Sequence, residues 1–252
     1  MIMYLKFWIL ENIVLGRLFC KKTFIFAAGL SHLMDSRLKT GSHALDEFLE
    51  GGYETSVITT IFGPSGTGKT TACLLSAISA AKGGKVIFID TEGGFSTERL
   101  KQLSPEYKQL LERILLLKPT TFEEQKKNIE SLTKKLPKSV SLIICDTISA
   151  LYRIERGEDN QQLNAELGRQ IGKLLEIARK NEIPVIMTNQ VYSDFTDKTK
   201  VRMVGGDIIT YNSKCMIELQ PIGNSRRKAI LKKHRSLPEK EVVFEIKGEG
   251  II

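Results

Sequence analysis

The feature that most constrains this chain is a glycine-rich segment beginning at Gly63. It reads Gly-Pro-Ser-Gly-Thr-Gly-Lys-Thr-Thr and fills every fixed position of the pattern G-x-x-x-x-G-K-[ST]. A β-branched apolar run, 57–62, precedes it, and a run from Ala72 that is typical of a helix follows. Strand, glycine-rich turn and helix in this order form the context that a phosphate-binding P-loop requires. We therefore predict that the chain binds a nucleoside triphosphate.

The residue types of the P-loop follow from the charge of its ligand. Glycines let the backbone N–H groups point toward the phosphates, and the helix N-terminus adds the positive end of its dipole. Lys69 supplies a point charge for the β- and γ-phosphates, and the Thr70 hydroxyl can ligate Mg²⁺. The predicted cofactors are thus ATP and Mg²⁺. The predicted nucleotide-binding residues are Gly63, Pro64, Ser65, Gly66, Thr67, Gly68, Lys69, Thr70 and Thr71.

The rest of the chain is typical of an α/β domain. A length of 252 residues is enough for one large domain, and short apolar runs alternate with segments of helical period. The predicted fold is a twisted, mostly parallel sheet flanked by helices, with antiparallel strands near the C-terminus. The predicted strands after the P-loop are 85–90, 114–118, 141–146, 184–190, 214–219, 226–235 and 242–246, and helices are predicted over 122–135 and 161–181.

Polar residues follow three of the predicted parallel strands, where ligand-binding and catalytic groups of open sheets lie. Glu92 is placed to act as general base on the attacking water, with an exposed loop acid as the alternative. Asp146 ends an apolar strand at the Walker B position, where its carboxylate acts on Mg²⁺ mostly through water. Gln190 ends another strand and can sense the γ-phosphate through a hydrogen bond, with a loop-capping amide as the alternative.

Two basic segments are candidates for contact with a nucleic acid. One loop, 153–160, carries Arg153 and Arg156, and the polar stretch 191–206 carries Lys198, Lys200 and Arg202. The formal net charge of +8 agrees with a polyanionic partner. We predict that these residues contact the phosphates of DNA, most readily single-stranded DNA. The alternative is that both segments are solvated charges.

The first 33 residues are richer in aromatic side chains than the rest and contain the single tryptophan. Lys6, Glu11 and Arg17 divide them into apolar runs that are too short for a membrane-spanning helix. The segment is either an upstream extension, with Met34 as the natural start, or a short arm that packs on a neighbour. We predict an extension over 1–33, an ATPase domain over 34–252, no membrane association and a cytoplasmic location.

Several segments together resemble the ATPase core of RecA-type recombinases in the archaeal and eukaryotic branch. The matching segments are Thr40-Gly41-Ser42, the P-loop, Ile89-Asp90-Thr91-Glu92-Gly93, 145–153, Thr188-Asn189-Gln190-Val191 and Gly205-Gly206. The resemblance implies a RecA-like fold with Glu92 as catalytic glutamate, Lys69 and Gln190 in catalysis, and Arg99 stacking on adenine. It also implies that the two basic segments are DNA-binding loops.

The chain departs from the full recombinases in ways typical of their shorter archaeal paralogues. The part before Thr40 is too short for a helix-hairpin-helix domain, and residues 234–238 replace the Asp-Ser-Pro-x-Leu-Pro cap over a neighbour's ATP. This likeness implies an accessory role in homologous recombination and repair, with DNA binding and weak, DNA-dependent ATPase activity. The implied partners are the main recombinase or a Holliday-junction resolvase, and a homo-oligomer. The altered cap argues against a filament built through shared ATP sites.

Two other classes share the RecA core. One is a signalling ATPase of the KaiC-like kind, which acts on protein partners, and the other is a helicase motor, which favours stable hexamers. A DNA affinity that falls with salt concentration separates a DNA-binding protein from the signalling class.

Overall fold

The computed structural model describes residues 37–157, 160–193, 201–223 and 225–252. Its strands are β1 (Arg37–Leu38), β2 (Tyr53–Glu54), β3 (Ile58–Gly63), β4 (Lys85–Asp90), β5 (Ile114–Leu117), β6 (Val140–Asp146), β7 (Val185–Ser193), β8 (Val201–Met203), β9 (Cys215–Gly223), β10 (Arg226–Lys233), β11 (Glu241–Lys247) and β12 (Gly250–Ile251). Its helices are α1 (His43–Phe48), α2 (Lys69–Ala81), α3 (Thr97–Leu103), α4 (Tyr107–Leu111), α5 (Phe122–Lys134), α6 (Ala150–Glu155), α7 (Gln161–Asn181) and α8 (Gly206–Asn212).

The main sheet has a parallel centre and an antiparallel edge. Its strand order is β12-β11-β10-β9-β3-β7-β6-β4-β5, and β8 pairs with β7 outside this order. Strands β9, β3, β7, β6, β4 and β5 pair in parallel, whereas β9 to β12 pair antiparallel. This arrangement confirms the predicted fold class. Because parallel strands carry their functional groups at one edge, β3, β4, β6 and β7 deliver their carboxyl ends to one region.

Helices cover both faces of the sheet, which explains why the central strands are apolar without alternation. On one face, α1 to α4 pack against the sheet around Leu74 and Phe88. On the other face, α5 to α8 pack against it around Ile143 and Leu174. Every residue of β3 is buried. The P-loop therefore projects from a strand that is fixed on both sides.

The structure differs from the sequence-based prediction in three places. Arg153 lies in helix α6 and not in a loop, because Leu151 and Tyr152 bury one side of that short helix. Strand β9 continues through Gly223, past the end predicted for it at 219. Residues 201–203 form strand β8, which was not predicted because the stretch 191–206 is polar. The predicted extension over 1–33 lies outside the described residues and stays a prediction.

The segment that begins at His234 folds back onto its own chain. Glu54 of β2 is buried, and its carboxylate lies 2.8 Å from Arg235 Nε and 3.7 Å from His234 Nε2. His234 Nδ1 accepts hydrogen bonds from the backbone N–H groups of Ser236 and Leu237, so the ring is neutral at that atom. Burial lowers the pKa of His234, against the opposing effect of the Glu54 charge. This segment is thus anchored to a buried carboxylate of the same chain.

Among the described helices, none is both long and apolar enough to cross a membrane.

Candidate nucleotide site and its link to the basic segments

The P-loop joins β3 to α2 and holds its lysine in place by backbone contacts. Lys69 Nζ donates hydrogen bonds to the carbonyl oxygens of Gly63 and Pro64, each at 2.8 Å. The residue is 7% exposed, and burial lowers its pKa, while the charges of Asp146 and Glu92 act in the opposite direction. The ammonium group is therefore partly desolvated before any phosphate binds, which strengthens its attraction for an anion.

Gly68 shows why the turn needs glycine. Its φ is +100°, and a Cβ built there would lie 2.4 Å from Ile246 Cδ1. A side chain would therefore meet both an unfavourable backbone conformation and a collision with β11. The consequence is a close approach of β11 to the start of α2.

Thr70 and Asp146 form the predicted metal-binding pair. Thr70 Oγ1 donates to Asp146 Oδ2 at 2.8 Å, and Thr188 Oγ1 donates to Asp146 Oδ1. Asp146 is 3% exposed. Burial raises the pKa of its carboxyl group, and the hydrogen bonds from Thr188 and Thr70 lower it. A buried carboxylate beside a hydroxyl is a hard-oxygen site of the kind that Mg²⁺ prefers.

The space around this pair leaves room for a metal ion. A Cβ added to Gly94 would lie 3.4 Å from Thr70 Oγ1 and 3.7 Å from Asp146 Oδ2, so the glycine leaves room beside both oxygens. The pocket here has a volume of about 310 Å³. Its lining residues are Ser65, Gly66, Gly68, Lys69, Thr70, Thr71, Glu92, Asp146, Gln190, Arg227 and Ile246. Thr70 and Asp146 would hold Mg²⁺, and Lys69 would contact the phosphates.

Glu92 and Gln190 are in contact at the carboxyl edge of the sheet. Gln190 Nε2 donates to Glu92 Oε1 at 2.7 Å, and Thr147 Oγ1 donates to Glu92 Oε2 at 3.2 Å. Both carboxylate oxygens of Glu92 are thus engaged by side chains. Each oxygen keeps a second lone pair that can take a proton from water, but the hydrogen bonds draw charge away from the carboxylate, so Glu92 is a better general base when Gln190 moves away.

The other end of Gln190 contacts a residue that the sequence assigns to DNA. Arg153 Nη1 donates to Gln190 Oε1 at 3.1 Å. Thr147 Oγ1 also lies 3.1 Å from Thr188 Oγ1, and Thr188 bonds to Asp146. A hydrogen-bonded path therefore runs from exposed Arg153 through Gln190 and Glu92 to Thr147. The Thr188–Asp146 pair lies in contact with its inner end, because each threonine hydroxyl has only one proton to donate.

The remaining basic candidates are placed unequally. Arg156 follows α6, is exposed, and lines a second pocket of about 570 Å³ with Tyr152 and Met203. That pocket brings the first basic segment to the end of the second. Arg202 pairs with Tyr192 in the β7–β8 ribbon, which continues directly from Gln190. Lys198 and Lys200 lie outside the described residues.

Arg99 does not line the P-loop pocket. Its guanidinium group donates to the carbonyl oxygens of Lys247 at 2.7 Å and Gly248 at 3.0 Å, which ties α3 to the turn after β11. Its predicted stacking on adenine stays a prediction.

Sequence reasoning missed Thr147, Thr188 and Arg227 at this site. Thr147 directly follows Asp146 after β6, so its position beyond a strand end was an available signal. Thr188 lies within β7, two residues before Gln190, and had no such signal. The sequence gives no signal for Arg227, because this residue is far from the P-loop in the chain and is one of many basic residues in the run 226–235.

The sequence of the chain is similar to known proteins over most of its length. The family model described as Rad51 matches residues 33–252. The chain is 39% identical over 232 residues to "DNA repair and recombination protein RadB" of Methanobrevibacter smithii, covering 88% of this chain and 99% of that protein. It is 43% identical over 222 residues to the protein of the same name from Thermococcus onnurineus, covering 85% and 96% of the two chains.

A solved structure agrees with the sequence matches. "Crystal structure of the RadB recombinase" superposes with a TM-score of 0.75 at 39% identity, covering 85% of this chain and 98% of that chain. The similarity therefore extends over the whole fold and is not confined to the P-loop. The resemblance stated from the sequence motifs is confirmed.

Proposed function

The chain belongs to the Rad51 family, and we propose that it is an ATP-dependent DNA-binding protein of homologous recombination and DNA repair. Within that role it acts as an accessory to the main recombinase and hydrolyses ATP weakly. The family assignment does not favour the alternative of a KaiC-like signalling ATPase.

One observation carries the proposal: the path Arg153–Gln190–Glu92 connects a basic surface to the nucleotide site. The exposed end is an arginine, the side chain most suited to phosphate oxygens. The inner end is the carboxylate beside the P-loop. Binding of a nucleic acid at one end and of ATP at the other thus act on the same side chain, Gln190.

The chemistry assigned to each residue follows from its place. Thr70 and Asp146 would hold Mg²⁺, which would neutralise charge at the phosphates when bound. Lys69 adds a fixed positive charge at the phosphates. Glu92 accepts the proton of the attacking water, and it does so more readily once Gln190 has moved from its carboxylate. Because the hydrogen bonds from Thr147 and Gln190 draw charge away from the Glu92 carboxylate, it is a weaker base and hydrolysis without DNA is slow.

The proposed partners are single-stranded DNA, the main recombinase or a Holliday-junction resolvase, and further copies of this chain. The proposed location of the protein is the cytoplasm, together with the DNA on which it acts. The anchoring of His234 and Arg235 to the chain's own Glu54 supports a protein that does not build filaments by capping a neighbour's ATP. These partner assignments rest on the family and on the basic surface.

The Arg153→Ala substitution is expected to weaken DNA binding and also to make the rate of ATP turnover independent of DNA. Without the arginine, Gln190 loses an anchor, so turnover in the absence of DNA rises about threefold or more while stimulation by DNA is lost. A hydrogen bond to a charged group contributes about 1.5–3 kcal/mol, which is enough for such a shift. Steady-state ATP hydrolysis with and without single-stranded DNA is the measurement.

Arg156→Ala is the matched control, since Arg156 is exposed in the same basic segment and lies beyond the end of α6. We expect this variant to bind DNA less tightly and to keep the DNA-free turnover of the wild type. Equal DNA-free rates in the two variants would remove the link through Gln190 from the proposal.

A further inference from the structure

Arg227 occupies a position in β10 that normally belongs to an apolar side chain. Residues two apart in a strand share a face, and Ala229 and Leu231 on the face of Arg227 are buried. Its register partner in β11 is Phe244, which is also buried. The guanidinium group is thus carried on the core-facing side of the strand pair, next to the start of α2.

Within the described residues, the contacts of Arg227 include no acidic side chain. Nη1 donates to the carbonyl oxygen of Ser225 at 2.5 Å, and Nη2 donates to that of Gly66 at 3.2 Å. Nε is buried and makes no hydrogen bond to any described residue. Both partners are neutral carbonyl groups. A partly buried cation of this kind is costly unless an anion compensates it.

The position of Arg227 indicates where that anion comes from. Gly66 belongs to the P-loop, and Arg227 lines the same pocket as Ser65, Lys69 and Glu92. Ile246, from the strand paired with β10, touches Gly68, so the edge of the sheet reaches the phosphate cradle. A guanidinium group offers a planar fork that fits phosphate oxygens.

We propose that Arg227 is a phosphate-binding residue that contacts the terminal phosphate of a nucleoside triphosphate in its own subunit. This inference rests on the proposed nucleotide site and adds to it a second cation, delivered from β10 and not from the P-loop. It keeps one hydrogen bond to the Gly66 carbonyl while its remaining donors turn to the phosphate. Arg227 thereby makes the site sensitive to the number of phosphates.

The test compares Arg227→Ala, Arg227→Lys and Arg226→Ala by equilibrium binding of ATP–Mg²⁺ and ADP–Mg²⁺. Arg226 is the matched control because it precedes Arg227 in the same strand, is exposed, and lies opposite Glu245 in the register. We expect Arg227→Ala to weaken ATP binding roughly tenfold or more and ADP binding about threefold or less. Arg227→Lys keeps a charge and recovers part of the loss, and Arg226→Ala binds both nucleotides as the wild type does.

Two results would overturn the inference. One is unchanged ATP affinity in Arg227→Ala. The other is an equal loss of ATP and ADP affinity, which would mean that the arginine only supports the P-loop through Gly66. The melting temperature of each variant, measured without nucleotide, identifies a variant that fails to fold. If Arg227→Ala fails to fold, the loss of ATP affinity relative to ADP affinity in Arg227→Lys decides the question. Absence of ATP binding in the wild type would instead refute the nucleotide site itself.

Discussion

Lys69→Ala is expected to lower the affinity for ATP by on the order of 100-fold, or about 2.7 kcal/mol. The side chain is buried, its ammonium group already points into the P-loop through two carbonyl contacts, and its pKa is lowered by desolvation. A desolvated charge is worth more to a bound phosphate than an exposed one. Isothermal titration with ATP–Mg²⁺ measures the effect.

The fold should survive this substitution, because the lysine's hydrogen-bond partners are backbone carbonyls of a turn and not members of the core. Lys82→Ala is the control, since Lys82 is an exposed lysine at the end of the same helix. A Lys69→Ala protein that melts like the wild type and binds ATP with unchanged affinity would show that the P-loop is not the nucleotide site.

Glu92→Gln is expected to reduce ATP hydrolysis by about 10²- to 10⁴-fold, the usual contribution of a general base. The amide has nearly the same shape as the carboxylate, so it can keep one contact to Gln190 or Thr147, but it cannot take a proton from water. ATP affinity should change little, because Lys69 and Thr70 are untouched. Single-turnover hydrolysis with excess protein, in the presence of DNA, separates the chemical step from binding.

Glu98→Gln is a suitable comparison for this variant. Glu98 lies nearby in the first turn of α3, where it contacts Ser96, and should leave the rate unchanged. If Glu92→Gln hydrolysed ATP at the wild-type rate, Glu92 would be an exposed loop acid, which is the alternative that the sequence left open.

Local patterns were sufficient to predict most of the fold. Residues close together in the sequence were enough to predict the P-loop, strands β4 and β6, and helix α7. Glu92, Asp146 and Gln190 could be proposed for one site because parallel strands deliver their ends to one edge. These predictions depend on interactions between residues that are close in sequence, and on the rule that functional groups lie at the carboxyl ends of parallel strands.

The parts that could not be predicted depend on contacts between distant segments. Arg227 reaches Gly66 because the antiparallel strands β9 and β10 extend the sheet next to β3, and nothing in a basic run specifies that neighbour. Arg153 was assigned to DNA, but its bond to Gln190 required the helix α6 and the end of β7 to meet. The anchoring of His234 on Glu54 likewise joins residues far apart in the chain.

Binding of labelled single-stranded DNA, with and without ATP–Mg²⁺ and over a series of salt concentrations, tests the proposed function most directly. We predict that ATP–Mg²⁺ tightens binding and that log K falls linearly with log salt, as expected for several phosphate contacts. Lys69→Ala should lose the response to ATP and keep the salt slope. No binding at low salt, or binding that ignores ATP, would contradict an ATP-controlled DNA-binding protein and direct attention to protein partners.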